Sequence, residues 1–173
     1  MDKKIITRFV VVTEETIRQL LILTQALARE KYTGVLPEAA LEAYIGTHFS
    51  PKQLMADINS FSNQWLVVYA DQEAVGYACI TTRGQRPEMC AGKKAVRLTG
   101  FGVLAAYRDT DCLSMLFAKC MAVVQSYEVV WVHEYAADPV LAYFEANGFE
   151  RSTDITIAET LSLPMTGMVK RLK

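Results

Sequence analysis

The stretch "YRDTDCLSMLF", Tyr107 to Phe117, sets an arginine, two aspartates, a threonine and a serine at the head of an apolar run. A helix starting there presents backbone N–H groups without intrahelical partners and the positive end of its dipole, a combination suited to a phosphate. Glycines would let the backbone close around such an anion, and none stands in this stretch. Asp111 has two candidate roles. As an N-cap its carboxylate would occupy the donors a phosphate needs. Beside a bound phosphate, a carboxylate about 4 Å away costs on the order of 4 kcal/mol at an effective dielectric of 20, less once water and salt are counted. Arg108 offsets part of this cost if it meets the phosphate.

Further side chains with chemistry lie downstream. Glu134 and Tyr135 end the run "VVWVHEY", and Tyr143 and Phe144 share "VLAYFEANG". The four cysteines (Cys79, Cys90, Cys112, Cys120) and two histidines (His48, His133) show no C-x-x-C or H-x-x-x-H spacing, so no metal is expected. The cysteines fall inside apolar runs and read as buried free thiols, which suits a reducing cytoplasm.

Several elements must position these residues. "FVVVT", Phe9 to Thr13, reads as a strand, and Thr13 with Glu14 and Glu15 as the start of a helix with Ile17, Leu20, Leu21, Thr24, Leu27 and Ala28 on its apolar face. "LPEAALEAYI" and "SPKQLMADINSF" are two short helices, with Pro37 and Pro51 in their first turns and Ser50 as a cap. Trp65–Ala70 and Ala74–Thr82 form a hairpin through Asp71, Gln72 and Glu73. After the loop Arg83–Lys94, "AVRLTGFGVL" is a strand with Gly100 and Gly102 on one face, either for close approach to the backbone or for a bulge. The helix from about Asp111 to Ser126 is apolar nearly all round, as in a buried position. Val129–Tyr135 is a continuous apolar strand, Pro139 opens a helix that Gly148 stops, and "FERSTDITIA" and "MTGMVKRL" are two last strands.

The chain of 173 residues, 51% apolar, can bury roughly 70% of the surface its unfolded form exposes. A formal charge of −1 gives no long-range attraction for nucleic acid or an anionic membrane. No apolar run approaches the roughly 20 residues of a membrane span. A small-molecule partner in the cytoplasm is the expectation.

This order of elements resembles the GNAT N-acetyltransferase superfamily. "VLAAYRDTDCLSMLF" stands where that family has V-x-P-x-Y-R-G-x-G-x-G-x-x-L-L, and "YFEANGF" where it has F-Y-E-K-x-G-F. "YTGVLPEAALEAYI" and "FSPKQLMADI" are similar to the substrate-side helices of the branch that includes polyamine acetyltransferases. The resemblance implies an α/β fold in one domain, residues 1–173, with a central mixed, splayed sheet of about six to seven strands flanked by helices. It also implies acetyl-CoA as acyl donor, its pantetheine arm running between the glycine-bearing strand and the Val129–Tyr135 strand.

By the same resemblance, the pantetheine amides pair with backbone at Gly102, Val103 and Leu104. The pyrophosphate falls to Arg108, Asp109, Thr110, Asp111, Cys112, Leu113 and Ser114, which keep the family's arginine and lose its small residues. Phe144 occupies the position of the tyrosine that protonates the leaving thiolate in many members. Tyr143, one residue away and so turned by about 100°, is the candidate acid or else a packing aromatic. Ala137 or Asp138 replaces a frequent asparagine. Glu134 is the chosen base for the amine, with Tyr135, Tyr32 and Glu38 as further candidates. The implied function is transfer of an acetyl group to a primary amine of a small molecule, by a monomer or a homodimer. The alternative is a pseudo-enzyme of the same fold with weakened CoA binding, acting as a ligand-binding or regulatory module.

Overall fold

A computed structural model describes residues 2–173. In chain order the elements are β1 (Ile5–Phe9), α1 (Glu14–Tyr32), α2 (Glu38–His48), α3 (Pro51–Asn59), β2 (Asn63–Ala70), β3 (Glu73–Thr81), β4 (Ala95–Val103), α4 (Cys112–Val124), β5 (Val129–Tyr135), α5 (Val140–Ala146), β6 (Glu150–Ser152) and β7 (Met165–Arg171). Short 3₁₀ turns occupy Glu88–Cys90 and Ala105–Tyr107. The strands form one mixed seven-stranded sheet in the order β1-β2-β3-β4-β5-β7-β6. The chain divides into two compact units: residues up to Cys79 together with Gly100–Cys120, and Ile80–Thr99 together with Met121–Lys173.

In the first unit, the β-rich run begins earlier than the sequence suggests. Ile5–Phe9, rather than Phe9–Thr13, pairs antiparallel with β2, from Ile5↔Ala70 to Phe9↔Leu66. The cause is the cap that follows. Thr13 and Thr16 form a reciprocal capping box, and Thr16 Oγ1 also donates to Val11 O at 2.6 Å, which pulls Val11–Thr13 out of extended pairing. The β2–β3 hairpin turns on two residues, Asp71 and Gln72, at φ 48° and 74°, a conformation whose twist matches that of the flanking strands. Asp71 Oδ1 accepts from Lys4 N–H, and this fixes the first strand's start. The unit's core is Leu20, Leu23, Leu54, Trp65, Val67, Tyr77 and Cys79. Within it, the Trp65 and Tyr77 rings stack 5.5 Å apart.

Helix α4 starts at Cys112 and ends at Val124, and it is not buried all round. Cys112, Leu116, Phe117, Cys120 and Val124 face inward, while Ser114, Met115 and Ala118 are exposed, Met115 by 44%. Alanine, serine and methionine are cheap to leave in water, so composition alone misjudges this face.

In the second unit, β4 and β5 run parallel with Ala95↔Val129, Val96↔Val130 and Arg97↔Trp131 in register, while β7 pairs antiparallel with β5 along its whole length. Of the expected strand "FERSTDITIA", only Glu150–Ser152 pairs with β7. Ile155 instead packs over Gly167, where a Cβ would stand 2.5 Å from the isoleucine, and the chain continues irregularly to β7. "NGF" ends α5 in a double-bonded cap: Phe149 N–H donates to Phe144 O and Gly148 N–H to Glu145 O, with Gly148 at φ 91°. The Phe144 and Phe149 rings meet at 5.0 Å and complete the motif's apolar contact. Gly148→Ala should therefore lower unfolding stability by about 1–2 kcal/mol, the cost of a left-handed backbone for an L-residue. Denaturant unfolding with an unchanged m-value is the measurement, and equal stability would refute this account of the cap.

Candidate functional site

Within the first unit, the carboxyl end of β4 and the turn after it form one continuous hydrogen-bonded path to α4. Gly100, at φ 55°, has the backbone of a strand bulge, and a Cβ there would meet the Tyr77 ring at 3.0 Å. At Gly102 φ is not positive and a Cβ would meet nothing within 4 Å, so the space beside it is open. The two glycines thus divide the two roles between them. A Cβ on Gly76 of β3 would lie 2.6 Å from Gly102 O, so β3 reaches the β4 backbone here only through glycine. Leu104 N–H donates to Val75 O, and Leu104 O accepts from Tyr107 N–H, which engages both main-chain groups of Leu104. By strand alternation, Val103 turns its amide away from β3.

The Ala105–Tyr107 turn is anchored by α1, whose Glu30 carboxylate accepts from Ala105 N–H at 2.8 Å. Tyr107 OH lies 3.3 Å from both Glu73 Oε2 and Lys3 Nζ, and the hydrogen bond to Tyr107 raises the pKa of Lys3. Thr110 Oγ1 donates to Tyr107 O at 2.6 Å and accepts from Cys112 N–H at 3.3 Å. The side chain that caps α4 is therefore Thr110, not Asp111. Asp111 contributes its carbonyl, which accepts from Met115 N–H and from Ser114 Oγ, and its carboxylate makes no hydrogen bond among the described residues. The N–H groups of Leu113 and Ser114 likewise find no acceptor among them. Arg108, Asp109, Thr110 and Asp111 are exposed, Leu113 is half-buried and Cys112 is buried.

In the second unit, Glu134 is 7% exposed, a buried carboxylate rather than a solvated strand end. Tyr143 is half-buried, and burial pushes its phenol pKa above the ordinary value. Phe144 has no exposed surface, so its ring supports α5 and cannot itself touch a ligand. Asp138 Oδ1 accepts from Val140 N–H at 2.9 Å, which turns the chain into α5. Of the other candidate bases, Tyr32 is buried against Tyr44 in the first unit, Glu38 is exposed at the start of α2, and Tyr135 is half-buried.

Sequence reasoning missed a cluster of charged and aromatic groups in this second unit. His133 Nδ1 lies 2.7 Å from Glu159 Oε1, the same oxygen accepts from Arg97 Nη2 at 3.0 Å, and the Arg97 guanidinium lies over the Trp131 ring at 5.0 Å. Glu159 sits in the irregular segment before β7, where no periodicity marks it. An arginine and a histidine inside otherwise apolar strands were the available signal.

All four cysteines are free and buried, as expected. Burial pushes the Cys120 thiol up to about 12 and that of Cys90 in the same direction. No thiol should react with a disulfide reagent at about pH 8 while the chain is folded, because thiolate rather than thiol is the nucleophile. Colorimetric titration before and after denaturation checks this, with Cys112 at the helix start as the residue whose reaction would contradict it.

Among the described residues no group of three or more histidine, cysteine or acidic side chains is placed to hold a metal ion, and no helix is long and apolar enough to cross a membrane. No family model matches the sequence, and no curated protein matches it. Solved structures do match. PaiA N-acetyltransferase from Thermoplasma acidophilum, in complex with coenzyme A, is similar at a TM-score of 0.76 and 15% identity, over 97% of this chain and 99% of that one. A GNAT-family acetyltransferase from Staphylococcus aureus Mu50 is similar at 0.67 and 13% identity, over 97% and 100%. The ribosomal-protein-S18-alanine N-acetyltransferase of Escherichia coli is similar at 0.62 and 10% identity, over 96% and 94%. The chain has the fold of the GNAT acetyltransferases.

Proposed function

We propose that this protein is an acyl-CoA-dependent N-acyltransferase that moves an acetyl group from acetyl-CoA to a primary amine of a small molecule in the cytoplasm. The observation that carries the proposal is the start of α4. Thr110 caps it, and the amides of Leu113 and Ser114 are left for an acceptor from outside, at the positive end of the helix dipole. Coenzyme A offers such an acceptor in its pyrophosphate, and the structure similar over nearly the whole chain was solved with that molecule. Arg108, exposed in the same turn, would add a charge-assisted hydrogen bond to that anion. Gly102 and Val103, with open space beside the glycine and the Val103 amide turned from β3, suit the pantetheine amides. Leu104 would contribute through a second lone pair on its carbonyl, since its N–H is engaged.

Acetyl-CoA supplies an activated thioester, and the protein's remaining task is to place an uncharged amine and manage two protons. Tyr143 suits the donor role better than Phe144. Its pKa, raised by burial, keeps the phenol protonated at neutral pH, and it stands half-exposed where the phenylalanine is sealed in. The proton shed by the amine falls to a residue of β5, for which Glu134 is the sequence's own candidate.

A second reading, a GNAT-fold binding module without transfer, is favoured by one feature: the carboxylates of Asp109 and Asp111 stand exposed beside the phosphate amides. Thermal unfolding with acetyl-CoA and thiol release with spermidine, phenethylamine, kanamycin and an alanine-terminated peptide separate the two. Acetyl-CoA at 100 times its dissociation constant should add about 2.7 kcal/mol of stability. Asp111→Asn should tighten binding several-fold at low salt and less at high salt, because it removes a charge without removing the cap. No stabilisation at millimolar acetyl-CoA would defeat the proposal; stabilisation without thiol release from any amine would favour the binding module.

A further inference from the structure

We propose that Glu30, near the end of α1, is a positioning residue for acetyl-CoA: it acts by holding Ala105 N–H, and so fixes the turn that presents the α4 amides to the pyrophosphate. The proposal rests on the acyltransferase reading above. Every residue it uses lies in the first unit.

The argument begins with what holds the turn. Val103 and Cys112 are 3% and 1% exposed, but from Ala105 to Asp111 no residue is buried, so no side chain anchors this stretch in the core. Hydrogen bonds must set its place. Those from Arg108 N–H to Ala105 O and from Thr110 N–H to Tyr107 O are internal, and they fix the shape of the turn without fixing where it stands. Among the described residues, hydrogen bonds from other elements reach Ala105–Asp111 at two points. Tyr107 OH meets the exposed side chains of Lys3 and Glu73, each at 3.3 Å. Ala105 N–H donates to both oxygens of Glu30, at 2.8 and 3.3 Å.

Glu30 is the firmer of these ties. It stands between Ala28 and Tyr32, 6% and 7% exposed, so the backbone that carries it is packed while its carboxylate reaches outward. The last turn of α1 otherwise holds the bases Arg29 and Lys31, and the negative end of a helix dipole disfavours a carboxylate. Among the described residues Glu30 makes no ion pair that would offset this. What the residue type does satisfy is Ala105 N–H, which as the first amide of a 3₁₀ turn has no acceptor within that turn.

The role is separable from the charge. A negative charge near the head of α4 works against an anion there, so removing it should by itself tighten binding. Releasing Ala105 has the opposite effect, because the turn then spends less time in the arrangement that binds. A hydrogen bond of ordinary net worth biases such an equilibrium by about fivefold, and the apparent dissociation constant rises by that factor at most.

Calorimetric titration of acetyl-CoA into the full chain at low and high salt tests the proposal. At high salt, where the gain from losing a charge is screened, Glu30→Ala should raise the dissociation constant about three- to fivefold. Glu30→Gln, whose carboxamide oxygen can still accept from Ala105 N–H, should raise it less. Both ratios to wild type should be smaller at low salt, and both shifts oppose the tightening expected of Asp111→Asn. A merely structural role would lower the unfolding temperature and leave the dissociation constant at 25 °C unchanged. Unchanged or tighter binding by Glu30→Ala at high salt overturns the positioning role and leaves the acyltransferase reading standing. Should that variant not fold, Glu30→Gln decides: weaker binding at high salt supports the role, and equal or tighter binding overturns it. No binding of acetyl-CoA by the wild type overturns both.

Discussion

The approach of β3 to β4 at Gly76 is the constraint on which the chain's path into α4 depends. The Gly102 carbonyl and the Val103 side chain occupy the space that any Cβ on Gly76 would need. Because that space is filled by β4, Leu104 can reach Val75 O, the chain can turn at Ala105–Tyr107, and Thr110 can bridge that turn to the first amide of α4. Each link is an ordinary hydrogen bond with a net worth of about 1 kcal/mol. Their effect comes from being in series: moving the β4 backbone by a few tenths of an ångström would move every later link. The Glu30 carboxylate on Ala105 N–H adds a fixed point from α1 and ties the longest helix to the same turn.

In the second unit a charged cluster lies at the margin of an apolar strand face: His133 is buried, while the Arg97 and Glu159 side chains keep 19% and 24% of their surface. Arg97, His133 and Glu159 meet on one carboxylate oxygen, and Trp131 supplies its ring face to the guanidinium. Arg97 Nε remains buried without an acceptor, a cost of about 1–3 kcal/mol that the charge-assisted bond and the ring contact must offset. The irregular run before β7 has no strand partner of its own. Ile155 over Gly167 and Glu159 on the Arg97–His133 pair are what hold it, one by shape and one by charge.

Much of this fold was legible in the sequence because the relevant signals are local. Thr13 and Ser50 cap their helices as read, Asp71 and Gln72 turn the hairpin, and Gly148 ends α5 with the left-handed backbone that only glycine takes without strain. Errors arose where a local signal was opposed by a distant partner. "FVVVT" has β propensity, yet the capping box claims its last residues. "ITI" at 155–157 has the same propensity and no strand to pair with. The candidate site was legible in outline and not in its polar detail. Asp111 is by type a better cap than Thr110, and only the turn's geometry shows that the threonine hydroxyl is the one in place. Glu30 and Glu159 were invisible because each acts on a residue more than twenty positions away.

The absent glycines at the head of α4 then take on a narrower meaning. Glycine in such a turn serves the backbone's approach to an anion, and the donors themselves are amides that every residue but proline carries. With Thr110 as cap and the Asp111 carboxylate directed to no donor, the replacement has left the amides of Leu113 and Ser114 in place and added two negative charges nearby. These charges are exposed, so water and salt screen them, and Arg108 in the same turn is of opposite sign. Exposed charges of this kind act on the strength and salt dependence of any anion bound there and leave the donors in place. In an acyl transfer from a thioester, a thiolate leaves without needing a strong acid, so a phenylalanine at 144 would cost less than the lack of a base. Under the acyltransferase reading, the greater demand would therefore fall on removal of the amine's proton, for which no thioester chemistry substitutes.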